Sequence, residues 1–579
     1  MIYTKDHKTV NIFDPFNYLG PKRKSLIENS WAKIFRDEIL PELPVHKLQP
    51  FYHSSRGAPT KELYAMLGLM ILQQMHDFTD EEAVDEYAFN IKWHYAMNIT
   101  SDSDRDTYIS PKTLWMMRDI LTKNDLYTDV FDSVTEKLAR LLKVDTTLQR
   151  YDSRHIYSNM RHLGRIRLFV ATIKKFLVNL KRHHGELFDG LEKEQVDRYI
   201  SKKGESLFSM VKPSESEKTL ESLSEDLFFL IERFKGKNEV ASMSSYKLLA
   251  RLMKEQCIVE DDITTKGKKI SVKPNKEVPS DSLQNPSDPD AGYSGHKGKG
   301  YQVQVAETYS NNKEDNSISL ITHVQVESAD KSDANALIPL IDATQDKGLG
   351  PEEVLADSLY GGDENCEKAK ELGVEVISPV MGRSSNKEIN LGNFDLSEDG
   401  TVKNCPEGKE PVKTGKKKNR YTATFDIQCC KECDRVRVCL VKSGKRGYYL
   451  RYKEKDVRVA KRRIHEQTPE FQDKYRYRAG VEATMSYYDR KTGVKRLRVR
   501  GLKAVSFSAT LKAIGVNLFR AAAFKNNESG YKDSLKQVVP AFIDRIYNLK
   551  EQFLSAAMKI RKISGSSLTN YRFEMKLAV

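Results

Sequence analysis

"YQVQVAETYS" (Tyr301–Ser310), followed by "ISLITHVQVES" (Ile318–Ser328), decides the fold class. Both runs alternate β-branched or aromatic residues with polar ones, and a short polar segment joins them, so they predict a hairpin. Downstream, "DANALIPLIDATQDKG" (Asp333–Gly348) predicts a helix and "EEVLADSLYGG" (Glu352–Gly362) a strand that ends in a turn. "DENCEKAKELG" (Asp363–Gly373) predicts a second helix and "VEVISPV" (Val374–Val380) a last strand. Strand–strand–helix–strand–helix–strand is the order of a mixed α/β sheet. Upstream, "KVDTTLQRYDSRHIY" (Lys143–Tyr157) has the same alternation and supplies one more strand.

Outward from this core the texture changes. The first ~140 residues predict helices. Thr79 followed by Glu82 is a capping box, and Val84, Tyr87, Ala88, Ile91 and Tyr95 continue at helical spacing. Ser110-Pro111 opens another helix, with proline where its missing N–H does no harm. Several short helices with basic connections suit a DNA-docking module or a packing bundle. Long charged helices are expected from Arg165 to about Lys254, loop over Val272–Gly300, a Gly/Lys/Cys-rich interruption over Met381–Lys455, and helices again from about Asp456.

The chain has 579 residues, too many for one ordinary domain. Its formal net charge of +14 and pI of about 9.1 favour a polyanionic partner, nucleic acid or an anionic membrane. No run reaches the ~18 apolar residues of a membrane span, and the N-terminus lacks the apolar segment of a secretory signal. Seven cysteines in so long a chain do not make a disulfide scaffold. A cytoplasmic protein that handles nucleic acid is the expected class. The basic runs "KTGKKKNRYTATF", "KSGKRGYYLRYKEKDVRVAKRR" and "RKTGVKRLRVRGLK" interleave cations with aromatic residues, as a DNA track does.

Three carboxylates have sequence contexts that suit a metal site. Asp152 lies on the first core strand, Asp357 at the end of a later one, and Glu482 on a helix expected to cross the sheet edge. Three converging carboxylates supply hard oxygen ligands, which suit Mg²⁺ or Mn²⁺. Singly, each has a plainer reading: a strand-end aspartate is most often a turn former, and Arg478–Glu482 an i, i+4 surface pair. Asp145 competes with Asp152 on the same predicted strand, seven residues away and so on the opposite face.

These residues resemble the DDE transposases of bacterial insertion sequences, in the branch with a Tyr-x2-Arg-x3-Glu-x6-Lys signature. Tyr475, Arg478 and Glu482 match that spacing, "DSRHIYSNMRHLGR" resembles the first-aspartate block and "LADSLYGGDEN" the second. "FYHSSRGAPTKELYAMLGLMILQQM" to "HYAMNI" resembles the N-terminal domain of the same proteins. The resemblance implies an α/β RNase H-like catalytic core, a mixed sheet flanked by helices, with an all-α N-terminal domain and two insertions. On that basis the chain divides into a helical DNA-binding domain (1–140) and a core made of 141–164, 291–380 and 456–525. A helical insertion with a loop (165–290), a basic Cys-rich insertion (381–455) and a helical tail (526–579) complete it. It also implies catalysis by Asp152, Asp357 and Glu482 with two bound metal ions, and DNA cleavage and strand transfer at terminal inverted repeats. A hairpinned DNA end fits this branch. Synapsis of two ends implies a homodimer or larger assembly, working at the bacterial nucleoid. The alternative is a catalytically inactive, transposase-derived DNA-binding protein.

The signature departs at its last position, where Asp489 replaces lysine. On one regular helix Tyr475, Arg478, Glu482 and Asp489 share an arc of roughly 60°. Arg490 then stands in for the lysine as the phosphate contact, or Lys491 does if the helix unwinds toward Gly493. Tyr475 contacts the DNA backbone or stacks on a displaced base. In the Cys-rich region, Cys430-x2-Cys433 with Cys405 and Cys439 has the composition of a structural Zn²⁺ site, and Cys429 offers another register. Free thiols in a basic insertion are the other reading. Zinc would staple an insertion too small to build its own core.

Overall fold

The computed structural model describes residues 1–9, 14–53, 56–200, 208, 211–262, 267–312, 317–382 and 389–527. Two compact units divide the chain, 1–521 and 522–579. Of the second, 522–527 are described and helical, so the expected tail lies almost wholly outside the described residues.

The N-terminal part is helical. α1 (Leu63–His76) buries nearly every residue, as a helix at the centre of a bundle must. α2 (Asp80–Phe89) starts at Thr79 with the expected capping box, but stops at Phe89. Asn90 is extended there, and its side chain caps a separate short helix, Ile91–Ala96, so the predicted spacing through Tyr95 spans two helices. α3 (Pro111–Lys123) opens on Ser110 and Pro111 as predicted, and α4 (Leu126–Leu141) follows.

β1 (Leu148–Tyr157) is the first core strand. Asp145 is not on it; its carboxylate accepts from the Thr147 N–H at 2.9 Å in the turn before it. Three long helices, α5 (Arg165–His183), α6 (Ser216–Phe234) and α7 (Ser244–Gln256), come next with shorter ones between them, around Phe169, Phe176, Leu227, Phe234 and Leu249. A hairpin, β2 (Cys257–Asp262) with β3 (Gly267–Val272), follows in the interval between the predicted helices and the loop, where no strand is predicted. Three of the six residues of β2 and two of the six of β3 are charged, which shortens the apolar runs that mark a strand.

The core sheet adds β4 (Gly292–Ser294), β5 (Gly298–Thr308), β6 (Ile321–Ser328), β7 (Glu353–Leu355) and β8 (Glu375–Ile377). β5 and β6 form the predicted antiparallel hairpin. β1 is antiparallel to β5 and parallel to β7, which is parallel to β8, so the path runs β6–β5–β1–β7–β8 with β4 beside β6 along β5. α8 (Leu337–Gln345) and α9 (Asp363–Glu371) pack Leu337, Leu340, Ile341 and Ala369 on one side, against Tyr151, Ala306 and Val354. Central β5 is buried on both faces, glutamines included.

The Cys-rich region folds as well. Strands β9 (Asp395–Leu396) and β10 (Val402–Asn404) pair, and β11 (Lys413–Lys417), β12 (Arg420–Phe425), β13 (Lys442–Gly444) and β14 (Gly447–Lys453) form a sheet in the order β11–β12–β14–β13. Phe394, Tyr421, Phe425, Leu450 and Tyr452 make it a core with Val457 and Ala460 of α10 (Glu454–His465). The expectation of an insertion too small for its own core is therefore corrected: Tyr421, Ala423 and Phe425 of β12 with Leu450 and Tyr452 of β14 fill one face. α11 (Pro469–Tyr475) and α12 (Gly480–Thr492) follow, and the helical run over 502–527, α13, contributes 502–521 to the first unit. Among the described residues no helix is long and apolar enough to cross a membrane.

Candidate active site

The last paired positions of β1 and β7 are Arg150 and Leu355; Asp152 lies two residues farther along β1, and Asp357 two residues past the end of the neighbouring parallel strand β7. Both carboxylates thus follow the same paired row at the centre of the sheet. Burial pushes the Asp152 carboxyl above the ordinary aspartate value; Arg478 opposes this, while Asp357 and Asp333 add to it. Asp152 accepts from the Ser153 N–H at 2.9 Å, and Asp357 from the Leu359 N–H at 2.8 Å. Ser378 Oγ holds the turn by donating to the Asp357 carbonyl at 2.7 Å.

The signature segment is not one helix. α11 ends at Tyr475, Arg476–Ala479 form a 3-10 turn, and α12 begins at Gly480, so the predicted shared arc does not exist. α12 packs on β1, which lies between β5 and β7 in the sheet. The geometry still joins the signature to the first aspartate. Arg478 puts Nη2 3.3 Å from Asp152 and Nη1 3.5 Å from Glu482, so one guanidinium links both carboxylates. Glu482 remains 71% exposed, free to turn. Tyr475 stacks on Phe471 at 5.5 Å, and burial raises its hydroxyl pKa, with Arg478 opposing and Asp357 and Asp152 adding. Arg490 is exposed and its Nε bonds the Ser486 carbonyl at 3.4 Å. Lys491 lies over the rings of Tyr487 and Phe519, at 5.9 and 5.8 Å. Asp489 faces β1, where Arg154 Nη2 meets it at 3.1 Å.

Buried polar groups hold this arrangement. Glu307 of β5 is fully buried; it accepts from Arg150 Nε at 2.5 Å and from Arg520 Nη1 at 3.1 Å. Arg150 continues to the Tyr477 carbonyl at 2.9 Å, and Arg520 to the Thr484 hydroxyl. Gly480 allows this: a Cβ there would sit 2.0 Å from Arg150 Nη1. Asp333, which the sequence reading did not single out, lies behind Asp152, accepting from Ser153 Oγ at 3.0 Å and Gln304 Nε2 at 2.8 Å. Tyr360 donates to the same glutamine. Only the glutamines of "YQVQV", polar in a strand that proves fully buried, hint at this network in sequence.

Two family comparisons bear on this geometry. Residues 404–522 match a family model described as Transposase DDE domain, and residues 27–119 match Transposase domain (DUF772). Both matches are to transposase families, and together they support a DDE transposase of an insertion sequence. The DDE match contains Tyr475, Arg478, Glu482 and the cysteine cluster, and stops short of Asp152 and Asp357. No curated protein and no solved structure matches the chain.

For a transposase of this kind a divalent metal is the expected cofactor. Among the described residues no three His, Cys, Asp or Glu side chains are arranged to hold a metal ion as they stand. The donor chemistry nevertheless fits a hard cation: the carboxylates are all oxygen donors, Asp152 and Asp357 feel each other's charge, and Glu482 has room to move. Arg478 now supplies the positive charge between them.

Five of the seven cysteines, Cys405, Cys429, Cys430, Cys433 and Cys439, line one cavity of about 700 Å³. Burial first, then the neighbouring sulfurs, pushes the Cys430 thiol up to about 11. The sheet beside them has a one-signed face. By register, Lys413, Thr424, Tyr449 and Lys442 lie across it in one row, Thr422 and Arg451 in the next, and Lys417, Arg420 and Lys453 in a third. The six cations are exposed, and no carboxylate shares their face.

Proposed function

We propose that the protein is a transposase that cuts and joins DNA at the terminal inverted repeats of an insertion sequence, on an RNase H-like core. One observation carries the reading: Asp152 on β1 and Asp357 just past the end of parallel β7 each lie two residues beyond the last paired row, and the signature arginine joins the first of them to Glu482. The strand path β6–β5–β1–β7–β8, with only the β1–β7–β8 part parallel, supports the RNase H-like assignment. The +14 charge and the cationic sheet face support DNA as the partner.

Asp152, Asp357 and Glu482 would hold Mg²⁺ or Mn²⁺. Ions held there would supply activation of the attacking oxygen and stabilisation of the leaving one in an in-line displacement at phosphorus. The chain's own groups prepare the site. The buried Glu307 clamp fixes β1 against α12, the Asp333 network backs Asp152, and Arg478 balances the carboxylates until Glu482 is released to turn inward. Tyr475 stands beside the same carboxylates, where a DNA strand would pass. Two ends must be held together, so a dimer is the least working assembly. A structural Zn²⁺ on Cys405, Cys430, Cys433 and Cys439 is part of the proposal, and metal analysis of the purified protein tests it.

Linear DNA carrying the sequences that bracket the gene, incubated with the protein and Mg²⁺, should gain free 3′-hydroxyl ends at the element boundary. Asp152→Ala, Asp357→Ala or Glu482→Ala should each lower cleavage by more than about a hundredfold, since even outer partners of a metal cost 10–100-fold. End binding should persist in all three. Full cleavage by any one removes that residue from the site. Specific binding without cleavage by the unaltered chain would instead favour the inactive, DNA-binding alternative.

A further inference from the structure

We propose that Arg154, a β1 residue outside the transposase signature, supplies a phosphate contact for the DNA strand at this site, and that Asp489 is the residue that positions it. The inference rests on the nuclease reading above. Arg154 lies two residues past Asp152 and so on the same face of β1, about 6.8 Å along the strand. Its Nη2 meets Asp489 of α12 at 3.1 Å, which fixes the side chain over the face that carries the aspartate. One N–H is spent on that pair. Nε is buried and has no partner, and the same holds for Nε of Arg478, whose Nη2 meets Asp152 at 3.3 Å. One guanidinium thus meets the first aspartate and a second rises two residues farther along its strand, each with an unused buried donor, in a place that must accept a polyanion.

The neighbouring cations of α12 do not compete. Arg490 turns back on its own helix at the Ser486 carbonyl, and Lys491 is held over Tyr487 and Phe519, toward α13. Asp489, the residue seven after Glu482, faces the site and draws a cation to it from the strand beneath. The positive charge is thus delivered by β1 and steered by α12. An arginine so held offers a planar fork, the geometry that grips a phosphate by two parallel bonds.

Exchange of charge between the two positions tests the inference in the full-length chain, with a duplex of the DNA that brackets the gene as probe. Arg154→Ala should lower Mg²⁺-dependent cleavage at least about tenfold, and reduce the slope of log affinity against log salt by about one. Arg154→Ala combined with Asp489→Lys returns a cation from the helix side and should restore the slope and most of the cleavage. Asp489→Ala should keep the slope, because the arginine remains, and lose cleavage through misplacement. Arg154→Lys, which keeps the charge and tolerates folding, should keep the slope too. A slope identical in Arg154→Ala and the unaltered protein, or a double variant no better than Arg154→Ala, overturns the proposal. If the unaltered protein binds this DNA but never cuts it, the nuclease reading fails, while the salt slopes still decide whether Arg154 touches phosphate.

Discussion

Glu307 shows how one buried charge sets the site. Its carboxylate is fully enclosed, between Arg150 of β1 and Arg520 of α13, and those arginines reach the Tyr477 carbonyl and Thr484 around α12. Glu307→Ala would strand two guanidiniums, one of them 9% exposed. Breaking a buried pair in this way costs about 3–5 kcal/mol. The expected result is a large fall in the urea midpoint, with cleavage lost in proportion to the unfolded fraction, and an unchanged midpoint would contradict the clamp. Asp152, Asp357 and Glu482 stand out in sequence because each carries a flanking motif. Glu307 and Asp333 carry none, and Arg154 lies in the first-aspartate block without a signal of its own. Their importance comes from partners roughly 25 to 340 residues away, such as Gln304 for Asp333 and Asp489 for Arg154, and no local pattern records such pairings.

At the level of elements, periodicity found most of the core strands and helices, yet it missed breaks inside apparently continuous patterns. Asn90 ends α2 by capping the next helix, and the 3-10 turn at Arg476–Ala479 separates α11 from α12, although propensity alone favours neither stop. The arginine–glutamate contact survived the second break because both residues lie close to the turn. The β11–β14 sheet was equally hidden, since its lysines mask strand alternation until register sorts them onto one face. That face makes a quantitative prediction. Each phosphate neutralised contributes a slope of about −0.9 in log affinity against log salt, so replacing Lys413, Lys417 and Arg451 with glutamine should reduce the slope by nearly three if all three touch DNA. Parallel salt titrations of the triple variant and the unaltered chain measure this, and coincident slopes would exclude the face as a DNA surface.

Across the first unit, three histidines give stability a pH dependence whose sign follows from their surroundings. Burial, with Lys92 adding, holds His76 down at about 4 among the rings of Trp31, Phe78, Trp93 and Phe519. Burial and then Lys297 hold His155 of β1 at about 4, and burial and then Lys347 hold His323 of β6 at about 3. All lie below the ordinary value of 6.5, so the folded chain keeps neutral rings that the unfolded chain protonates. Their contribution is complete above about pH 6.5 and is lost as pH falls toward these depressed values. Asp152 acts in the opposite sense, because its raised value favours the folded state as it takes up a proton, but its ordinary range lies lower. Between pH 7 and 5 the histidines should therefore dominate among these groups. Each depressed histidine removes on the order of 2 kcal/mol by pH 5. The groups sit in the N-terminal bundle, the central strand and the outer strand, so the loss should appear as one cooperative transition and not as the release of one domain. Urea midpoints should fall steadily from pH 7 to 5, and His155→Gln should flatten that dependence whatever it does to stability at pH 7. A midpoint constant over this range would mean that the rings are protonated in the folded chain, and that Lys297 and Lys347 do not face them in solution.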